Sequence, residues 1–162
     1  MTHAKIARRH FLMIGGAALI VPLAACQTSG PMGTQVRASS DGQPLFRDIR
    51  QANALGSIRA DRELENAALV QAGYMSQAGK MAHDTGWGRG FAARMGKVET
   101  NGRAAENLAR GRMDLARVMD VWMNSPGHRR NMLSPDFSRF GLAYVSDTRD
   151  PAQRYWTMVL AA

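Results

Sequence analysis

Two runs near the C-terminal end constrain the fold more than any other feature of this chain. Arg139–Ser146 and Arg154–Ala161 are rich in aromatic and β-branched residues, the types that fit a pleated, half-buried surface. Asp147 to Gln153 separates them with turn-forming residues, so the pair predicts a β-hairpin. A lone hairpin is marginal in water and needs a further layer to cover its apolar face.

The preceding chain supplies that layer as helices. Leu45, Phe46, Ile49, Ala52 and Asn53 recur at helical spacing, and Gly56 ends the run. Asp61 suits an N-cap, and Leu64, Ala68, Gln71 and Met75 then fall on one helical face, with Gly79 as the stop. Asp114 begins a third helix with the stripe Leu115, Val118, Met119, Trp122. Ser125-Pro126 reads as an N-cap followed by Pro at the first helical position, which puts His128 in the first turn of a short helix ending near Leu133. Gly86 to Gly102 is glycine-rich, with a short extended piece expected at Lys97–Thr100. Helices followed by strands predict an α+β layered domain with an antiparallel sheet. A length of 162 residues suits one domain, and 45% hydrophobic with 21% charged residues excludes wholesale disorder.

The N-terminus reads as an address. Lys5, Arg8 and Arg9 precede an uncharged stretch from Phe11 to Ala25, which is shorter than the ~20 residues of a spanning helix. Gly15, Gly16 and Pro22 weaken it further as a membrane helix. A basic stretch, a short apolar stretch and small residues describe an export signal. Arg8-Arg9-His10-Phe11-Leu12 resembles the twin-arginine motif of the folded-protein exporter, and Leu23-Ala24-Ala25-Cys26 resembles a lipobox. Cys26 is the chain's one cysteine, so a disulfide framework and a multi-thiolate zinc site are excluded. The expected division is a lipoprotein signal peptide over 1–25, an acylated Cys26 with a flexible tether over 26–44, and a folded domain over 45–162. The lipid anchor would hold the protein to a membrane of the cell envelope, on the periplasmic side. Gln27, in place of an inner-membrane retention Asp, favours the outer membrane over the inner.

With His3 and His10 in the leader, the remaining chain keeps His83 and His128. Asp84-Thr85-Gly86 occurs once with no apolar strand before it and reads as a turn. Gly86-Trp87-Gly88-Arg89-Gly90 lacks the strand and the Lys-Ser/Thr of a phosphate loop. No Gly-x-Ser-x-Gly elbow and no His-Glu-x-x-His is present. The formal charge of +8 is partly the leader's. Arg110, Arg112, Arg117, Arg129 and Arg130 could meet phospholipid head groups or anionic wall polymers, or simply form a solvated face. No nucleic-acid motif accompanies them, so nucleic acid is not an expected partner.

Glu106-Asn107-Leu108-Ala109 and the run Trp122 to Leu133 are more specific. With His83 upstream and Tyr155-Trp156-Thr157 downstream, they resemble the CAP superfamily of cysteine-rich secretory, antigen 5 and pathogenesis-related proteins, in its bacterial disulfide-free branch. The resemblance covers roughly Leu45 to Ala162. It implies a three-layer α-β-α sandwich with a small antiparallel sheet and a central cleft. In that family two His and acidic residues face the cleft, and the His pair of several members can hold a divalent metal. His83 matches the first His, Glu106 the Glu of the Glu-Asn element, and His128 the Gly-His position. Ser125 stands where the eukaryotic pattern has a second Glu, so that tetrad is incomplete.

His83, Glu106 and His128 are therefore the candidate cleft residues, with His83 and His128 the candidate zinc ligands. The same trio could act as acid and base or form a hydrogen-bonded network that only shapes the cleft. Asn107 is expected to hold a loop, Trp122 and Trp156 to be core, and Tyr155 to line the cleft. The first functional expectation is a non-catalytic binding module for an apolar or envelope ligand, either a lipid or a cell-wall component. A His/Glu- or metal-dependent hydrolase of envelope material or peptides comes second, and a structural envelope protein with a vestigial cleft third. The missing second Glu and the lack of a nucleophile favour binding over catalysis.

Overall fold

The computed structural model describes Met1 and residues 32–162. The leader, the twin-arginine-like segment and Cys26 lie outside the described residues. In chain order the elements are β1 (Gln35–Arg37), α1 (Ser39–Ala52), β2 (Arg59–Ala60), α2 (Arg62–Ala78), α3 (Phe91–Met95), β3 (Ala104–Gly111), α4 (Leu115–Met123), α5 (Pro126–Met132), β4 (Arg139–Ser146) and β5 (Arg154–Ala161). The sheet runs β1-β4-β5-β3 with antiparallel pairing, and the two-residue β2 lies parallel to one end of β4. Helix α2 covers one face, while α1, α4 and α5 cover the other. This is the α-β-α sandwich with a small antiparallel sheet that the family resemblance implies.

Local chemistry sets the helix ends. The Asp61 carboxylate accepts from the backbone N–H groups of Glu63 and Leu64 at 3.0 and 3.1 Å, and so caps α2. Gly79 ends the same helix in the left-handed conformation, φ 64°, which costs glycine little. Asp114 caps α4 by accepting from Arg117 N–H. Pro126 opens α5 as expected, although the Ser125 side chain makes no capping bond.

Strand alternation then sorts the core. Trp156, Met158 and Leu160 of β5 join Phe140 and Leu142 of β4 in one cluster with Phe46, Val118, Met119 and Trp122. Val159 and Ala161 of β5 and Ala143 of β4 meet Leu64, Ala67 and Ala68 of α2. Gly141 sits under α2 so closely that an added Cβ would stand 2.0 Å from the backbone nitrogen of Glu65.

Three expectations need correction. Ordered structure begins well before Leu45, because β1 pairs with β4 and the Ser39 hydroxyl bonds both the N–H and the C=O of Leu142. The polar segment is held by sheet edge bonds and by Ala38, which is buried in the core, and α1 carries Pro44 inside it. Lys97–Thr100 is turn and irregular chain; the strand lies further on, at Ala104–Gly111. Tyr155 does not line a cleft. It is fully buried with Met75 and Leu108, and its hydroxyl donates to Asp147 at 3.1 Å. Burial first, and the Asp147 carboxylate next, raise its pKa. Trp122 and Trp156 are core, as expected, and the Trp122 indole N–H donates to Leu108 C=O at 3.0 Å.

Candidate functional site

The site is built on β3, the outermost strand beyond β5. Glu106 stands opposite Val159 and Asn107 opposite Met158. Successive side chains of a strand point to opposite faces, so Glu106 faces the α2 side and Asn107 the α4–α5 side.

Glu106 is buried, and both of its carboxylate oxygens are engaged. Oε1 meets His83 Nδ1 at 2.8 Å, and Oε2 accepts from Arg94 Nη2. The Glu106 and Arg94 side chains are 1% and 5% exposed, so this ion pair is shielded from water, whereas the His83 side chain is 59% exposed. The short helix α3 delivers Arg94, whose Nη1 also donates to Arg89 C=O at 2.6 Å and to His83 C=O at 3.4 Å. One guanidinium thus ties the carboxylate to the loop that carries His83. Arg94 was not anticipated. It is one arginine among many, and neither its type nor its spacing marks it.

The other side of β3 places His128. Asn107 is fully buried; its amide donates to His128 C=O at 3.1 Å and accepts from Asn131 Nδ2 at 2.9 Å. These bonds latch α5 to the strand, which is the structural role expected of Asn107. The His128 ring is half-buried, and its Nδ1 has no partner among the described residues. Its pKa is lowered, mainly by burial and then by the charge of His83. Direct contact joins His83 to Glu106, and His128 is held from the other face of β3 through Asn107.

The donor set suits a resident metal poorly. Both oxygens of Glu106 are occupied, and Arg94 adds a positive charge beside them. Among the described residues no group of three or more His, Cys, Asp or Glu gathers around a common point. Two imidazoles alone fall short of the three protein ligands of a catalytic zinc.

The other sequence signals resolve simply. Asp84-Thr85-Gly86 is a turn in which the Asp84 carboxylate accepts from Gly86 N–H. Arg112 and Arg117 pair with Asp150 and Asp120, Arg129 donates to Asn53, and Arg110 lies over the Tyr155 ring.

Among the described residues two further cavities are lined by none of His83, Glu106 or His128. One, of about 520 Å³, runs between α1 and α4 and is lined largely by apolar side chains, among them Leu45, Ile49, Met119 and Met123. The other, of about 440 Å³, lies between α2 and the α3 region, and Arg94 is part of its wall.

This fold and this Glu-Asn strand carry a family signature. Residues 45–160 match the CAP family, the cysteine-rich secretory protein family, and the chain belongs to it. The protein YkwD of Bacillus subtilis (strain 168), which is described as uncharacterized, is 31% identical over 97 residues, a match spanning 59% of this chain and 38% of YkwD. An outer surface protein of Borrelia burgdorferi shares the fold with a TM-score of 0.68 at 22% identity, over 80% of this chain and 98% of its own. An extracellular SCP-domain protein of Bacillus anthracis gives a TM-score of 0.67 at 25% identity, over 76% of this chain and 39% of its own. The chain thus spans well under half of YkwD and of the Bacillus anthracis protein, but nearly all of the Borrelia protein.

Proposed function

We propose that the protein is an exported, lipid-anchored CAP-domain binding module whose ligand is an apolar chain, seated between α1 and α4. The observation that carries this reading is the groove itself. Its volume of about 520 Å³ and its Leu, Ile and Met lining match a small-molecule site, which is typically apolar and ~300–1,000 Å³. Methionine suits a ligand of variable shape, because its side chain repacks easily.

The Glu106 geometry argues against hydrolysis at the same site. A general base must be free to take a proton, and this carboxylate already holds an arginine and a histidine. One observation supports hydrolysis as a second reading. His128 has an unpartnered Nδ1 and a lowered pKa, so it would be neutral and able to accept a proton at pH 7.

Export and anchoring through Cys26 rest on the leader pattern. The extracellular and outer-surface relatives point the same way. Among the described residues no helix is long and apolar enough to cross a membrane. The outer membrane is the proposed location.

Native mass spectrometry of the purified full chain tests the ligand. The expected result is a dissociable apolar molecule, lost in Ile49→Asp while the covalent acyl mass on Cys26 remains. A wild-type protein without that molecule, or an Ile49→Asp variant that retains it, would overturn the reading. Cys26→Ala should move the protein out of the detergent phase, and unchanged partitioning would refute the anchor.

A further inference from the structure

We infer that the exposed flank of α2 and the loop after it form a docking surface for an anionic phospholipid bilayer, with Trp87 as the side chain that enters the headgroup layer. This docking rests on the lipid-anchor reading above and gives the anchored domain a fixed orientation.

The position of Met32 gives the direction. Met32 is exposed, and its Sδ packs over α2, 3.4 Å from where a Cβ on Gly73 would stand. It shares a small cavity with Val70 and Tyr74 of the same helix. Cys26 precedes Met32 by six residues, and six residues reach no further than about 20 Å. An acyl group on Cys26 therefore keeps this flank of α2 close to the membrane, while the α1–α4 groove lies on the opposite face of the sheet and opens away from it.

The side chains displayed there suit a lipid surface. Over residues 32–162, Met32, Val70, Met81 and Trp87 are exposed large apolar side chains on α2, beside it or in the loop after it; Leu45 alone lies elsewhere. Trp87 is fully exposed, between Gly86 at φ 150° and Gly88 at φ 71°. Glycine takes these angles readily, so the turn that projects the ring is built into the sequence. The loop is tied back to the helix, because Gln71 Nε2 donates to Ala82 C=O at 2.5 Å, and Gly88 faces Val70 and Tyr74 across one cavity. An indole is amphipathic and settles at the headgroup level of a bilayer.

Cations border these apolar points. Lys80 follows the α2 cap at Gly79, Arg89 lies over the Tyr74 ring at 4.7 Å, and Lys97 shares a cavity wall with Val70 and Tyr74. Among the described residues no carboxylate forms an ion pair with any of the three. Arg149, which pairs with Asp147, also reaches the Gly79 end of α2. The other nearby acids are Glu63, in the first turn of α2 at its far end, and Asp84, whose carboxylate already accepts from Gly86 N–H. Unpaired cations around exposed apolar side chains complement an anionic headgroup layer. The short link to Cys26 selects that layer over a protein partner, since it brings this flank to the membrane first.

Fluorescence of the acylated full chain in phosphatidylethanolamine–phosphatidylglycerol vesicles with brominated acyl chains tests this. Trp122 and Trp156 are 0% and 1% exposed, so Trp87 is the indole that can meet bromine. Its emission should shift to the blue and be quenched. Trp87→Ala, at a fully exposed position, should abolish the quenching and leave the melting temperature unchanged. Lys80→Glu should lower the docked-to-free ratio about fivefold or more, and neutral phosphatidylcholine vesicles should lower it further. No quenching, quenching that survives Trp87→Ala, or equal quenching on neutral and anionic vesicles would each overturn the inference. A blue shift without quenching that grows with the number of chains per vesicle would assign the surface to a second copy of this chain and overturn it too. The mass of the Cys26 peptide reads the anchor separately. An acylated chain without quenching defeats the docking surface alone, and an unmodified chain that is still quenched defeats the anchor alone.

Discussion

The two faces of the sheet are packed by opposite means. On the α2 side the closest contacts are small: Ala67 and Ala68 of the helix cluster with Ala143 of β4, and Gly141 lies against the backbone of Leu64 and Glu65, while the larger Met75 and Tyr155 pack further along. On the α1–α4–α5 side the space is filled by Trp122, Trp156, Phe46, Phe140 and several methionines. The first face is held by closeness, the second by volume. Close-packed interiors tolerate neither a void nor an extra methyl, but the two faces should fail in different directions. The candidate site lies where they meet, with Glu106 on the thin side of β3 and Asn107 on the thick side.

The largest expected effect is on the thick face. Trp122→Ala should cost about 3–5 kcal/mol by opening a cavity, and it also removes the indole bond to Leu108. A variant melting at the wild-type temperature would show that volume does not hold this face. Glu106→Gln tests the charge on the thin side. It keeps the shape but leaves Arg94 buried without its counter-ion, a loss of about 3 kcal/mol by analogy with broken buried pairs. Equal stability of Glu106→Gln in chemical denaturation would mean that the pair is not a structural lock. Gly141→Ala should cost about 1–3 kcal/mol by overpacking, because the new methyl meets the α2 backbone rather than a movable side chain. Neutral or higher stability would show that α2 can lift freely.

The smallest effect is the pH slope from His128. Its native pKa lies below the ordinary 6.5, so the unfolded chain takes up the proton first as pH falls. Well above pH 6.5 both states are neutral at this residue and it adds no slope. Below that value stability should decline until the native pKa is passed. His128→Gln should flatten this decline and leave the melting temperature at pH 8 nearly unchanged. An identical pH profile would remove burial as the cause.

Much of this architecture is legible without coordinates, for identifiable reasons. Helix α2 announces both of its ends through Asp61 and Gly79, and its stripe is regular. The β4–β5 hairpin shows because each strand is long and apolar on both faces. Strand β3 is hidden, since Ala104-Ala105-Glu106-Asn107-Leu108-Ala109 is composed of residues that suit a helix. Pairing with β5 along its whole length overrides that preference. Strands β1 and β2 are too short to leave a pattern. His83, Glu106 and Asn107 could be singled out because their motifs are distinctive. Arg94 could not, because its importance comes from a contact across twelve residues that only the fold creates.

The placement of β5 also fixes an order of events during synthesis. It lies between β4 and β3, which do not pair with each other. Strand β3 leaves the ribosome early and must remain without its partner while α4, α5, β4 and the hairpin loop are made. Glu106 and Asn107 cannot be set in register until β5 arrives, so the site is assembled last however early its residues emerge. Non-local pairing of this kind is slow and exposes a strand edge in the interval. A translation pause before residue 154 would therefore leave a chain with its helices formed, its edge open and no functional site.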